Sequence, residues 1–330
     1  MSRYYVTGGS QRKDAQSHIE WFNYGEASIF MFDDQDGSVT KCVSYETPDD
    51  IRPDDKNANV VFKAGSLSGN RLQVCTQTEI LEYSLPDFKQ VGYATHPWLN
   101  DAHHVVTNKA GNFLVANTGL DMVLELTPSG DVVRDYSVLP GEDIWDRFDR
   151  SVDYRKVITT KPHHAHPNYV FEINGELWVS RFIQKDMLCL TDPGKRIDVG
   201  LEKVHDGNIH QGLIYSTTVN GHIIIADTTT CRVCATHDLN AMTDTNKALG
   251  WCRGIHVLDE NRVIVGFSRI RPSKFRENVQ WAKFKVGKRE SAGRLATRVV
   301  LYDLAKGSIE WDINLEKHDL NAVFSILPAD

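Results

Sequence analysis

Histidine is the residue through which this chain offers chemistry, and its histidines are not scattered. Of the 13 in the chain, ten (His96, His103, His104, His163, His164, His166, His205, His210, His256 and His318) fall in five short stretches. These are HPWLNDAHH (96–104), KPHHAHPNYVF (161–171), HDGNIHQGLIY (205–215), CRGIHVL (252–258) and KHDLNAVFSIL (317–327). Neutral imidazole is a frequent metal ligand, and it suits zinc, iron, copper and manganese. One residue from each of four stretches, His104, His166, His210 and His256, is expected to ligate one divalent metal (Fe, Mn, Zn or Cu), with His318 as a fifth. His103, His164 and Asp101 stand beside them as candidate catalytic groups. Asp206, Asp319 and Gln211 occupy the same loops and are suited to orient a histidine or act as a base.

A substrate must also be held. Arg181 and Arg269 end β-rich runs that turn toward the same place, and a guanidinium there clamps a carboxylate, phosphate or sulfate through two parallel hydrogen bonds. Trp98 and Tyr169, beside the histidine stretches, are expected to wall the pocket. For any single histidine the plainer role is a hydrogen bond to loop backbone. Asn117 and Asp227 read more simply as turn caps. Cys231-Arg232-Val233-Cys234 lies on a run where positions three apart face opposite sides of a sheet, so it reads as structural. No Walker loop, GxGxxG or GxSxG is present.

Residues this far apart in sequence meet only if the fold is circular. Three segments, 71–94, 112–137 and 176–200, share one plan: a β-rich run, a polar turn, a second run, a Pro/Gly/Asp turn and a third run. A further run precedes each, giving four strands per unit. Residues 212–239 repeat the plan, with Asn220-Gly221 as a hairpin turn. Residues 254–269 open a last unit that 297–315 completes. Four-stranded units at a spacing of about 45 residues are the signature of a β-propeller. The terminal run 321–330 supplies the inner strand that runs 3–9, 28–34 and 38–46 lack, so N- and C-terminal strands close one blade. The expectation is an all-β, six-bladed β-propeller forming a single domain over 1–330. The histidine stretches precede the inner strands of blades 3, 4, 5, 6 and 1, which gathers them at one channel mouth.

Two segments break the rhythm. Trp145, Phe148 and Val152 have helical spacing, so 141–156 is expected to be a short helix. The stretch 269–298 carries ten Lys/Arg against two Glu and falls inside the last blade; it reads as a lid attracting an anionic ligand or as a solvated loop. The hydrophobic content of 41% and charged content of 25% fit a soluble globular protein. A net charge of −7 argues against general nucleic-acid binding. No apolar run suits a membrane or a secretory leader, and six cysteines in this length make no disulfide framework. A reduced, cytoplasmic protein with a small-molecule partner is expected.

FLVANTGLDMVLEL and HIIIADTTTCRV resemble the repeat phrase of NHL-type and other six-bladed propellers. HPNYVFEINGELWVSR resembles arylsulfotransferase-like propellers, and VIVGFSRIRPSKF followed by VVLYDLAKGSIEWDINL resembles the last blade of a group of bacterial propeller proteins. The arylsulfotransferase resemblance implies transfer of a sulfuryl group through channel residues, with His166, His256 and Arg181 as the matching positions. Three functions stay open on the sequence. The first is a histidine-ligated metalloenzyme acting on a small, anionic substrate by hydrolysis, elimination or dioxygen chemistry. The second is metal-free group transfer through a channel histidine. The third is a non-catalytic propeller that binds a ligand or protein.

Overall fold

Among the described residues, short β-rich runs separated by Gly, Asn and Asp turns form 24 strands, sorted into six four-stranded antiparallel sheets. The computed structural model describes residues 2–12, 24–55, 58–270 and 295–329. The sheets are the blades of a β-propeller. Blade 1 has the order β24 (Ala322–Pro328), β1 (Arg3–Gln11), β2 (Tyr24–Asp33), β3 (Val39–Tyr45), so the two ends of the chain share one sheet. Blade 2 runs from β4 (Ser66–Ser68) to β7 (Lys89–Thr95), blade 3 from β8 (Ala102–Thr107) to β11 (Val132–Ser137) and blade 4 from β12 (Pro167–Ile173) to β15 (Arg196–Asp198). Blade 5 runs from β16 (Val204–His210) to β19 (Arg232–Asp238). Blade 6 holds β20 (Trp251–Val257), β21 (Arg262–Ser268), β22 (Arg298–Asp303) and β23 (Ser308–Asn314).

The core lies between blades. Each sheet is apolar on both faces, because each face meets a neighbouring sheet. Among the described residues seven buried clusters result, one for each neighbouring pair and a seventh, of Tyr24, Val61, Ala64, Ala322 and Phe324, where blade 1 meets the segment entering blade 2. Tyr5, Ile29, Phe62 and Leu81 join blades 1 and 2; Ile80, Val105 and Phe113 join 2 and 3; Val123, Val170 and Val179 join 3 and 4. Trp178 and Ile224 join 4 and 5, Tyr215 and Phe267 join 5 and 6, and Phe32, Leu301 and Val323 join 6 and 1. The ring is thus closed by side chains as well as by strand β24. Truncating one such residue to alanine costs about 2–5 kcal/mol.

Residues 141–156 differ from the expected helix. They form two separate 3-10 turns, Ile144–Asp146 and Tyr154–Lys156. Asp143 and Asp153 each accept the N–H two residues on, from Trp145 at 3.0 Å and Arg155 at 3.1 Å. These aspartates start a new turn twice instead of letting one helix continue. The helical spacing came from packing: Trp145 lies 4.3 Å from Trp98 and Phe148 5.6 Å from Tyr154, ring to ring. The basic insertion expected at 269–298 lies between β21 and β22, and residues 271–294 of it are outside the described residues. Among the described residues no helix is long and apolar enough to cross a membrane.

Candidate active site in the central channel

At one level of the channel the inner strands break their pairing. The register shifts between Ala102 and His104 in β8, Pro167 and Val170 in β12, Val204 and Gly207 in β16, and Arg253 and Ile255 in β20. In β24 it shifts between Ser325 and Val323. A bulge of this kind leaves one residue unpaired and re-aims its side chain. The residues at the breaks are His103, Asn168-Tyr169, His205-Asp206, Gly254 and Phe324. Blade 2 breaks too: Lys63 N–H bonds the Cys75 carbonyl at 2.8 Å, and Ala64 N–H crosses to the His103 carbonyl at 2.9 Å. The bulges thus bring chemistry-bearing side chains of separate blades to one level.

His103 is the hub. Its ring lies 5.1 Å from that of His166 and 5.8 Å from that of His205. Its Nδ1 is 2.7 Å from the Asp101 carbonyl oxygen. A carbonyl only accepts, so His103 carries its proton on Nδ1 and presents a lone pair at Nε2. His205 repeats the arrangement, with Nδ1 2.9 Å from Asp206 Oδ2. That same oxygen accepts the Gly254 N–H at 2.7 Å, which the left-handed backbone of Gly254 (φ +68°) turns toward it. His205 Nε2 is buried and has no hydrogen-bond partner.

Charge frames these rings. Lys63 Nζ is 3.3 Å from Asp101 Oδ1 and 4.9 Å from the centre of the Phe324 ring; the Arg253 guanidinium lies 4.7 Å from the same ring. Burial pushes the Asp101 carboxyl up, but it lies below the usual range, with the Lys63 ammonium the foremost opposing charge and Lys161 adding to it. Burial likewise opposes ionisation of Asp206, and His205 outweighs it. Burial drives His103 and His166 well below the ordinary imidazole value, with Lys63 adding to the effect on His103 and His103 to that on His166. Burial lowers His205 as well, against the pull of Asp206. At neutral pH the site therefore holds uncharged imidazoles between ionised carboxylates and two cations.

The loop carrying His166 is clamped from blade 3. Asp121, buried completely, accepts the N–H groups of His164 (2.7 Å), Ala165 (2.9 Å) and His166 (2.7 Å). Arg147 places both terminal nitrogens 3.1 Å from Asp121 Oδ2. His166 and Asp101 both hold left-handed backbones, φ 59° and φ 49°. Such conformations cost of order 1–3 kcal/mol outside glycine and persist only where surroundings impose them. His163 Nδ1 lies 2.7 Å from His166 Nδ1.

The four histidines expected to share a metal are not brought together. His104 stacks on Tyr169 at 4.2 Å, its Nδ1 accepts the Val170 N–H at 3.3 Å, and the Gly65 backbone is a further partner. Both roles are structural. His210 ends β16 five residues beyond His205, roughly 16 Å along a strand; it lies near His256, which packs against Tyr4 at 5.6 Å. Only His166 of the four joins the cluster, and no group of three or more His, Cys, Asp or Glu among the described residues is arranged to hold a metal ion. The placement of each residue follows from the bulges, which shift the phase of every inner strand.

Of the expected catalytic groups, His103 and Asp101 lie in the cluster, whereas the His164 side chain is exposed. Arg181 is buried in a two-pronged pair with Asp186 (2.8 and 2.5 Å) and donates to the Val138 carbonyl at 2.9 Å, so it braces its hairpin instead of facing the channel. Arg269 pairs with Glu316 at 2.8 Å. Trp98 packs with His96 and Trp145 and donates to the Arg150 carbonyl at 3.0 Å. Tyr169 packs against His104, and His318 is exposed. Lys63 and Arg253 are not among the sequence candidates, and His163 and His205 stand there only as members of the histidine stretches, with no assigned role. The adjacent pair His205-Asp206 was the available signal, since a carboxylate beside a histidine fixes its tautomer.

No protein-family model and no curated protein matches the chain. Its fold does match solved structures. A protein of unknown function from Bacteroides caccae aligns over 99% of both chains at 12% identity and a TM-score of 0.63. A chain of a nidogen/laminin complex aligns over 99% of this chain and 98% of its own, at 8% identity and a TM-score of 0.57. A streptogramin B lyase covers 98% of this chain and 91% of its own, at 12% identity and a TM-score of 0.51. At these identities the likeness is one of fold.

Proposed function

We propose that the protein is an enzyme that binds a small anionic molecule in the central channel and acts on it by proton transfer, in an elimination or a hydrolysis. The observation that carries this reading is His205, whose Nδ1 is engaged by Asp206 while its buried Nε2 has no partner. A base oriented by a carboxylate and left with an unused lone pair has the geometry of general-base catalysis. His205 Nε2 takes the proton from the substrate or from a water, and Asp206 stabilises the imidazolium that forms. Lys63 and Arg253 supply the positive pole for the anion, and Phe324 the apolar wall. A solved propeller of like fold carries the name of a lyase, which agrees with bond cleavage in such a channel; the assignment rests on the histidines.

A second reading keeps the divalent metal. The lone pairs of His103 and His205 are of the kind that bind zinc, iron, manganese or copper; among the described residues no third ligating group is drawn in to complete such a set, and no step is assigned to it. Sulfuryl transfer is the weaker alternative, since Arg181 spends its guanidinium on Asp186 and the Val138 carbonyl and His256 packs against Tyr4.

The test takes untagged protein and the variants His205→Gln and Asp206→Asn through a panel of small carboxylates, sulfate esters and phosphate esters in deuterated buffer. Elemental analysis runs alongside. The reading expects one class to turn over or exchange a carbon-bound hydrogen, with a loss of about 10²–10⁴-fold in His205→Gln and no effect of a chelator. One equivalent of metal, lost in His205→Gln together with activity, transfers the assignment to the metal. Binding of an anion without turnover or exchange leaves a binding propeller.

A further inference from the structure

The contact between His163 and His166 joins two like atoms, Nδ1 to Nδ1 at 2.7 Å. One ring must bring the proton and the other the lone pair. The surroundings of His163 decide which. Thr160 Oγ1 donates its only proton to the Gly119 carbonyl. Toward His163 Nε2, 3.3 Å away, the hydroxyl is therefore an acceptor, and His163 carries its proton on Nε2. A neutral imidazole has one N–H. His163 Nδ1 is then a lone pair, and the short contact is a hydrogen bond donated by His166 Nδ1–H.

We propose that His163, held by Thr160 and Gly119, is a positioning residue that fixes His166 as its Nδ1–H tautomer and so makes the His166 Nε2 lone pair the third in the channel. His103 and His205 are fixed in the same form by the Asp101 carbonyl and the Asp206 carboxylate. Three blades thus use three unlike acceptors, a carbonyl, an imidazole and a carboxylate, to one end. The Asp121 clamp serves the same geometry: it holds the backbone of residues 164–166, which sets His166 against His163. Sequence spacing explains why the pair forms. Residues three apart on a tight loop, with His166 in a left-handed conformation, bring the two rings to one side. This inference adds a base to the proton-transfer site proposed above and rests on that reading for its role, but not for its geometry.

Selective ¹⁵N-histidine labelling of the full chain, read by long-range ¹H–¹⁵N spectra at pH 7.5, reports which ring nitrogen is protonated. Signals are assigned by their loss in His163→Leu and His166→Asn. The expected result is His166 protonated on Nδ1 and His163 on Nε2. His163→Leu removes the acceptor, and His166 loses its single tautomer. His163→Gln offers an amide oxygen and restores it. Thr160→Val releases His163 from the Nε2–H form, whereas Thr160→Ser retains it. Should His163→Leu fail to fold, the wild-type spectrum and the Thr160 pair decide alone. His166 protonated on Nε2 in the wild type, or unchanged in folded His163→Leu, overturns the proposal. The spectra need no substrate: the expected tautomers without any turnover remove the proposed function and leave the lock, and turnover with reversed tautomers removes the lock alone.

Discussion

His205 and Asp206 are neighbours in sequence that also bond side chain to side chain, with Nδ1 2.9 Å from Oδ2. Adjacent residues on a regular strand point to opposite faces and cannot do this. The break in β16 between Val204 and Gly207 turns both inward. Asp206 Oδ2 thereby serves two donors, the His205 ring and the Gly254 N–H from the next blade, so one carboxylate orients a base and ties blade 5 to blade 6.

Asp206→Ala is expected to strand both donors in a buried place. Each unsatisfied donor costs about 1–3 kcal/mol, so for two donors denaturant unfolding should show a loss of about 2–6 kcal/mol. Asp206→Asn keeps one oxygen acceptor, and its loss should be smaller. Equal stability of Asp206→Ala and wild type would remove the bond from the argument.

Arg181 separates a structural role from a substrate-binding one. It is buried and bonded to Asp186 through two nitrogens. Removing one partner of a buried ion pair costs about 3–5 kcal/mol because the other is left uncompensated. Arg181→Met is therefore expected to lower stability by about that amount. Anion binding by the folded variant, measured calorimetrically, should match wild type; a selective loss of affinity at unchanged stability would return Arg181 to the site.

The blades were legible in the sequence and the centre of the site only in part, for one physical reason. Strand runs, turn residues and the closure by residues 321–330 are local or periodic signals, and they place every sheet. The inward set depends on bulges, and a bulge shifts the phase of a strand by one residue without a compositional mark. Alternation therefore favours His104 over His103 and gives no reason to prefer His205 to His210. Lys63 carried no signal at all, since its position is set by the Ala64 N–H bond to the His103 carbonyl. The aromatic spacing at 145–152 suggested a helix because packing of Trp145 on Trp98 imitates helical periodicity.

Acid should unfold this protein earlier than carboxylate titration alone would. Burial lowers His103, His166, His205 and His163, and it brings His104 and His256 down to about 4. An unfolded histidine titrates near 6.5. Between the folded and unfolded values the unfolded chain binds more protons, so stability rises with pH there; it is fully present above about 6.5 and lost as pH falls toward 4. Each such histidine contributes a slope of about 1.4 kcal/mol per pH unit. Chemical unfolding at pH 7.5, 6.5, 5.5 and 5.0 should show a plateau followed by a fall. His256→Leu should flatten that fall by roughly one histidine's share, and a slope unchanged in this variant would mean His256 titrates alike in both states.

The Asp121 clamp yields the most local prediction. Its two oxygens accept three consecutive N–H groups and both Arg147 nitrogens, and these bonds hold His166 in its left-handed conformation. Asp121→Asn exchanges one acceptor oxygen for a donor, which faces N–H groups that can only repel it. The loss of charged hydrogen bonds, at about 1.5–3 kcal/mol each, should appear first in the loop. Amide hydrogen exchange of residues 164–166 is therefore expected to speed up by an order of magnitude or more, while exchange in blade 1 stays as in wild type. Arg147→Met supplies the control. It removes the cation but leaves all three N–H bonds, so its effect on residues 164–166 reports the ion pair alone. Fast exchange in Asp121→Asn with near-normal exchange in Arg147→Met assigns the clamp to the backbone bonds. Equal acceleration in both would assign it to the ion pair, and unchanged exchange in Asp121→Asn would show that the loop is held by its own packing.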